Sequence, residues 1–298
     1  MPAVPASNDR GAPLSVHLIL LAGQICFASL PVAGRLALAH IPPGAIPLVR
    51  TVGGALVFSL IAWQRGRLRL DRKDVPLLLL CALLGTVLNQ ELFIHGLARS
   101  TATHAVVLGS TAPVFTALVA IALRREPARL SRLAGMAVAF AGVAALVGIE
   151  QLSLSSDHFA GSMLILANAV SYGSFLVVVR PLANKYDPIA LLAFLFLAAT
   201  PLVAPIGIHA FVTEAAPLTG NDYAFFAFLV AIPTVCAYAL IQTALQRTES
   251  SLVAAYIYLQ PVFAAVGAAM LLDEAITLRT VVCGAVTLFG VWLAARRR

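Results

Sequence analysis

Charge is scarce in this sequence. Asp, Glu, Lys and Arg together make up 11% of its 298 residues, against roughly 25% in a soluble domain. Hydrophobic residues make up 60%, more than an aqueous fold of this size can hide, so the bilayer must act as solvent. Linkers long enough for a water-soluble domain are also missing. Cysteine is rare: Cys26, Cys81, Cys236 and Cys283 each fall inside an apolar run without CxxC spacing, which reads as small buried hydrophobes rather than disulfides or metal ligands. There is no HExxH, no GxSxG and no phosphate-binding Gly-rich Lys loop, and His17, His40, His95, His104, His158 and His209 show no metal-ligand spacing. No cofactor, metal or catalytic constellation is therefore expected, and an intramembrane enzyme is the weaker alternative. Without a nucleotide-binding loop, this chain alone cannot drive transport with ATP.

What is present is a series of apolar runs of about 20 residues, each long enough to cross roughly 30 Å of hydrocarbon as a helix. They fall near 15–38, 44–63, 75–98, 102–123, 130–149, 160–182, 188–210, 222–245, 250–272 and 277–295. The expected fold is an all-α membrane protein of ten transmembrane helices. Residues 1–13, polar and Pro-rich, are expected to be a disordered tail. The net charge of +7 does not point to nucleic acid, because the basic residues sit in short segments between apolar runs. With the N-terminus inside, Arg10, Arg65, Arg67, Arg69, Arg72, Lys73, Arg124, Arg125, Arg129, Arg132, Arg180, Lys185, Arg247 and Arg296 to Arg298 are all cytoplasmic, leaving Arg99 and Arg279 outside and Arg35 and Arg50 within spans. That bias places both termini in the cytoplasm of a multi-pass bacterial inner-membrane protein.

The chain also resembles itself. Ala112-Pro113-Val114-Phe115 matches Gln260-Pro261-Val262-Phe263 at an offset of 148, as do Arg99 with Arg247, Glu126 with Glu274, Leu130 with Leu278, and Gly142-Val143 with Gly290-Val291. Earlier in each half the offset is 145, matching Ser29 with Ser174, Arg35 with Arg180 and Pro43 with Pro188. The halves run 14–150 and 151–298. Five spans per copy is an odd number, so the second copy enters the membrane from the opposite side. Inverted repeats of this kind place a site at the midplane and allow alternation between two states.

Two five-helix halves, each with a Pro-Val-Phe helix, a short Glu-bearing loop (Glu126, Glu274) and a Gly-rich last helix, resemble the EamA branch of the drug/metabolite transporter superfamily. The resemblance runs from about residue 17 to 295. It implies export of amino acids and related metabolites. Within the branch, the YddG-type aromatic amino-acid exporters are similar in length.

Candidate site residues follow from the cost of polar groups in hydrocarbon, which turns them toward the bundle interior. Gln24, Asn89, Asn168, Tyr172, Tyr238, Tyr256 and Gln260 are candidates for substrate binding, since a Tyr beside an amide suits a ligand with an apolar body and a polar end. For each, an interhelical hydrogen bond is the plainer reading. Pro113 and Pro261 are expected in mid-helix, freeing the carbonyls of Gly109 and Ile257 and forming hinges. Glu91 and His95 share a helix face four residues apart. With Arg50, and with Arg35 nearby, they are candidates for gating or proton coupling, through a Glu91–Arg50 pair at the outer end. A structural ion pair is the competing reading. No Lys or Arg is expected near the centre of a span, so the cavity should be close to neutral. That favours zwitterions or amphipathic neutral solutes over nucleotide sugars or phosphate esters. The expected partners are a small-molecule substrate, the lipid bilayer and protons as the coupling ion.

Overall fold

The computed structural model describes residues 13–100, 105, 108–147, 156–214, 217–263 and 278–295. The described secondary structure is helical: α1 (Leu14–Ala37), α2 (Ala45–Gln64), α3 (Val75–Ala82), α4 (Asn89–Arg99), α5 (Ala112–Ala122), α6 (Leu130–Val147), α7 (Ser156–Val178), α8 (Arg180–Lys185), α9 (Pro188–Thr213), α10 (Gly220–Val230), α11 (Ala237–Leu245), α12 (Ser250–Ala255) and α13 (Leu278–Ala295). Among the described residues, six helical segments are long and apolar enough to cross a bilayer: Leu14–Ala37, Ala45–Gln64, Arg72–Arg99, Phe159–Lys185, Pro188–Thr213 and Gly220–Leu245. Four shorter apolar helices, Ala112–Ala122, Leu130–Ala145, Ser250–Phe263 and Val281–Ala294, lie where the sequence places its other runs. The expected tail, Glu274 and the terminal arginines lie outside the described residues.

Large apolar side chains such as Leu18, Leu56, Trp63, Val212 and Trp292 are more than half exposed. That surface suits lipid and would be untenable in water. Between lipid-facing helices there is no hydrophobic driving force, so close packing of small residues holds the bundle. The two most extensive pairings, α2 with α9 and α6 with α13, show this. A Cβ on Gly54 would stand 2.5 Å from the Phe196 ring, and one on Gly207 2.3 Å from Leu48. A Cβ on Gly290 would stand 2.3 Å from the backbone nitrogen of Ala139, so only glycine permits that approach.

Two of the long helices carry the same irregularity. Between α3 and α4, residues Leu83–Leu88 form a π-turn, and between α10 and α11, residues Ala231–Cys236 form another. The two begin 148 residues apart, the same offset that relates the Pro-Val-Phe motifs. π-turns interrupt the i→i−4 ladder and cluster at functional sites.

The prolines correct the expectation of mid-helix hinges. Pro113 sits in the first turn of α5, after a turn at Ser110 and Thr111. Its missing N–H costs nothing there, and its fixed φ suits a helix start. Pro261 follows a 3₁₀ turn over Tyr256–Leu259. In each case the irregular turn comes before the proline, so that the ring and the missing N–H do not have to be fitted into a continuous α-helical ladder.

Candidate functional site

A cavity of about 80 Å³ lies inside the bundle, lined by Phe27, Leu30 and Pro31 of α1, Arg50 of α2, Asn89 and Phe93 of α4, Asn168 and Tyr172 of α7, Ala105, Gly109, Ala112, Ile257 and Gln260. It draws on helices from both halves of the chain. Four of the seven residues expected to bind substrate line it: Asn89, Asn168, Tyr172 and Gln260. Two more lie one contact behind. The Gln260 amide donates to Gln24 Oε1 at 2.6 Å, and the Tyr238 hydroxyl donates to Asn89 Oδ1 at 3.4 Å and to the Gly85 carbonyl at 3.1 Å. Asn168 Nδ2 donates to the Asn89 carbonyl at 2.6 Å, tying α7 to α4 across the cavity wall. Tyr256 is set apart. Its hydroxyl makes a short hydrogen bond with His17 Nδ1 of α1, and it does not line the cavity.

The π-turns position this wall. The Gly85 carbonyl accepts from Tyr238, and the neighbouring Leu84 carbonyl accepts from Ser171 Oγ at 2.9 Å. In the second turn the Pro233 carbonyl faces Arg50 Nη2 at 3.5 Å, and Thr234 Oγ1 accepts from Arg50 Nε at 2.9 Å. Gly85 and Pro233 are themselves 148 residues apart, so matched carbonyls in the two halves receive Tyr238, behind the cavity wall, and Arg50, in it.

Arg50 is the main departure from the sequence reading. It is 1% exposed and lines the cavity, so the cavity is not neutral. It does not pair with Glu91 either. Asn89 and Phe93 face the cavity one turn apart, and Glu91, two residues from each, points about 200° around the helix. The Glu91 Oε2 atom lies 3.2 Å from His95 Nε2, yet neither carboxylate oxygen finds a hydrogen-bonding partner among the described residues. The His95 contact is therefore close but badly aligned, and the buried Glu91 carboxylate lies away from the cavity. Arg35 does not join this cluster: its Nη1 donates to the Leu97 carbonyl at 3.1 Å. The expectation of one outer cluster fails because depth along a helix was matched but azimuth was not.

Sequence reasoning missed the aromatic part of the site. Phe27 packs edge-on to Tyr238 at 5.4 Å and to Tyr172 at 6.3 Å between ring centroids. Its signal was its place one turn after Gln24 on the same face of α1. His17, two turns before Gln24, could have been found in the same way.

At the basic end of the bundle Glu126, 3% exposed, pairs with Arg132 at 2.9 Å and with Arg180 at 3.4 Å, and accepts from the Ser251 backbone N–H at 3.3 Å. Arg132 also pairs closely with Glu249. Through that Ser251 contact Glu126 caps the start of α12. A larger apolar groove of about 850 Å³, walled by Leu48, Val49, Gly53, Ile208 and Val230 among others, opens on the lipid-facing side of α2, α9 and α10. Its walls are almost wholly apolar, and nothing in it would orient a polar solute, so the smaller cavity is the candidate site.

Comparison with known proteins bears on this geometry. The sequence profile of the EamA-like transporter family matches twice, over residues 14–148 and 159–296. An uncharacterized transporter of Archaeoglobus fulgidus is 26% identical over 284 residues, covering 95% of this chain and 98% of that protein. A probable terminal-alkyne amino-acid exporter of Streptantibioticus cattleyicolor is 26% identical over 255 residues, covering 85% and 84%. A solved crystal structure, 18% identical, superimposes with a TM-score of 0.79 over 95% of this chain and 97% of its own, which speaks to the fold alone.

Proposed function

The chain belongs to the EamA-like transporter family, and from that premise we propose that it is a secondary transporter exporting small metabolites, amino acids or close relatives, by alternating access. The observation that carries this reading is the cavity. Amide, phenol and guanidinium groups converge on Phe27 and Phe93 inside an otherwise apolar bundle, as a site for a solute with an apolar body and a polar end would require. The Streptantibioticus relative, named a probable amino-acid exporter, supports that substrate class.

In this reading the chain spans the bacterial inner membrane ten times as two inverted five-helix repeats, with both termini cytoplasmic. The recurrence of the π-turn at the 148-residue offset and the double family match support the repeat. The cavity volume, about 80 Å³, is well short of the roughly 300–1,000 Å³ of a ligand-filled pocket. It would have to widen during the cycle, and the irregular segments before Pro113 and Pro261 are the places where it would do so. Glu91 with His95 is the candidate proton-coupling pair.

Uptake of labelled amino acids into proteoliposomes, with and without a pH gradient, tests the proposal. Flux that saturates, and that falls on the order of tenfold in Gln260→Ala without loss of membrane expression, is expected. Loss of expression would make Gln260 a helix cross-link, and absence of flux for every solute in a panel of amino acids and carboxylates would overturn the transporter reading.

A further inference from the structure

We infer that the cavity is a carboxylate site built around Arg50, selective for organic monoanions over zwitterions. The inference rests on the cavity being the substrate site; within the small metabolites of that reading it favours acids without a free ammonium group, such as aryl or acyl carboxylates and N-acylated amino acids, over free amino acids.

Arg50 is buried to 1% exposure at the cavity wall. A guanidinium stays ionised and carries five N–H donors in a planar fork. Here Nε is used well, on Thr234 Oγ1 at 2.9 Å, and Nη2 reaches the Pro233 carbonyl only at 3.5 Å. No carboxylate pairs with it among the described residues: Glu91 is turned to the other side of α4 and contacts His95. Burying a charge without its counter-charge is costly, and such groups persist in spans where they meet a substrate or ion.

The repeat makes the case independently. The position matched to Arg50 at the 145-residue offset is Leu195. Leu195 is itself buried, at 1%, and packs in the apolar core. The scaffold therefore accepts an apolar side chain at this place, and the guanidinium is present in one half only.

Charge balance then sets the substrate class. Arg50 is the one ionised side chain lining the cavity among the described residues. The other polar groups, Asn89, Asn168, Tyr172 and Gln260, are neutral and can serve a carbonyl or hydroxyl. A monocarboxylate brings the occupied site to net zero. A zwitterion leaves one positive charge buried, and an amine leaves two. Phe27, Phe93 and Tyr172 fit an aryl or alkyl body. Thr234 and Pro233 hold the fork, and the weak Nη2 contact is the one a carboxylate would displace to form a bidentate pair.

Binding of matched ligands to the purified protein in nanodiscs, followed by calorimetry, tests this. The series is phenylpropionate, N-acetylphenylalanine, phenylalanine, phenylalanine methyl ester and N-acetylphenylalanine amide. The two acids should bind on the order of 10- to 100-fold more tightly than phenylalanine, and more tightly still than the ester. In Arg50→Gln the acids should fall to the level of the neutral amide, and Arg50→Lys should restore part of the difference. The wild-type series tests the inference even if Arg50→Gln fails to fold. Equal binding of acid and ester, phenylalanine binding as tightly as the acids, or acids bound unchanged by Arg50→Gln would overturn this inference and leave the transporter reading standing. Failure of all five to bind a folded protein would overturn it together with the choice of this cavity as the substrate site.

Discussion

Replacing Glu126 with glutamine removes the negative charge at the centre of the ion network that closes the basic end of the bundle. Glu126 and Arg132 are 3% and 8% exposed, and Arg180 is 27% exposed. Removing one partner of a buried pair costs about 3–5 kcal/mol. Two features reduce that figure here. Arg132 keeps Glu249, and Arg180 can turn toward water. Glutamine can still accept from the Ser251 N–H, so about 2 kcal/mol is the reasonable loss. The network joins the loop before α6 to α8 and α12, that is, one half of the chain to the other. If it holds only when that end is shut, about 2 kcal/mol shifts the open-to-shut ratio by roughly 30-fold. The assay is maleimide labelling of Ala112→Cys, a cavity-lining position, in a variant with Cys26, Cys81, Cys236 and Cys283 replaced. The reagent is supplied to the basic end, the cytoplasmic face in the topology proposed above, using inside-out vesicles. Labelling should quicken on the order of tenfold or more in Glu126→Gln. A fall in melting temperature with unchanged labelling would show that the network is a static strut and refute the reasoning.

Two further outcomes follow from other parts of the bundle. A Cβ at Gly85 would stand 2.3 Å from the Phe175 ring, whereas one at Gly109 meets nothing within 4 Å. Gly85→Ala should therefore destabilise by about 1–3 kcal/mol and Gly109→Ala should not, as thermal unfolding in detergent would report, and equal effects would dismiss the π-turn as a packed element. Glu91→Gln removes a charge on the face turned away from the cavity, so ligand affinity should stay within about twofold while the response of flux to a pH gradient is lost. An unchanged pH response would leave Glu91 as a structural group.

What the sequence made legible was position along the membrane normal. Apolar run length is a one-dimensional property, and it located the six long helices and the four shorter ones. Polar residues inside runs were correctly turned inward for Asn89, Asn168, Tyr172 and Gln260, because the cost of exposing an amide to lipid acts on each residue alone. Azimuth was not legible. Whether Arg50 meets Glu91 depends on how two helices are rotated against each other, and a π-turn just before Asn89 adds a residue that resets the phase of everything after it. Nothing in Leu83–Leu88, a run of Leu, Gly, Thr and Val, marks that insertion. The same reset before Ala237 hides the approach of Thr234 to Arg50. The breaks before Pro113 and Pro261 were half legible: proline showed that the ladder fails, but not on which side the chain would repair it.

The paired π-turns also carry a history. A one-residue insertion inside a membrane helix rotates its whole far half by about 100°, so it succeeds only when every neighbour of that half suits the new face. Two independent insertions landing at the same register of two diverged halves would each have had to pass that filter. A single insertion in an ancestral five-helix gene, copied afterwards, passes it once. If the halves are the inverted repeats proposed above, the wound-out turn is older than the fused chain, and it belonged to a protein whose two copies met in opposite orientations. The difference between Arg50 in one half and Leu195 in the other then belongs to the later time when fusion allowed the two copies to diverge. Ancestral reconstruction of an unfused half should therefore keep the extra residue at the Leu83–Leu88 register.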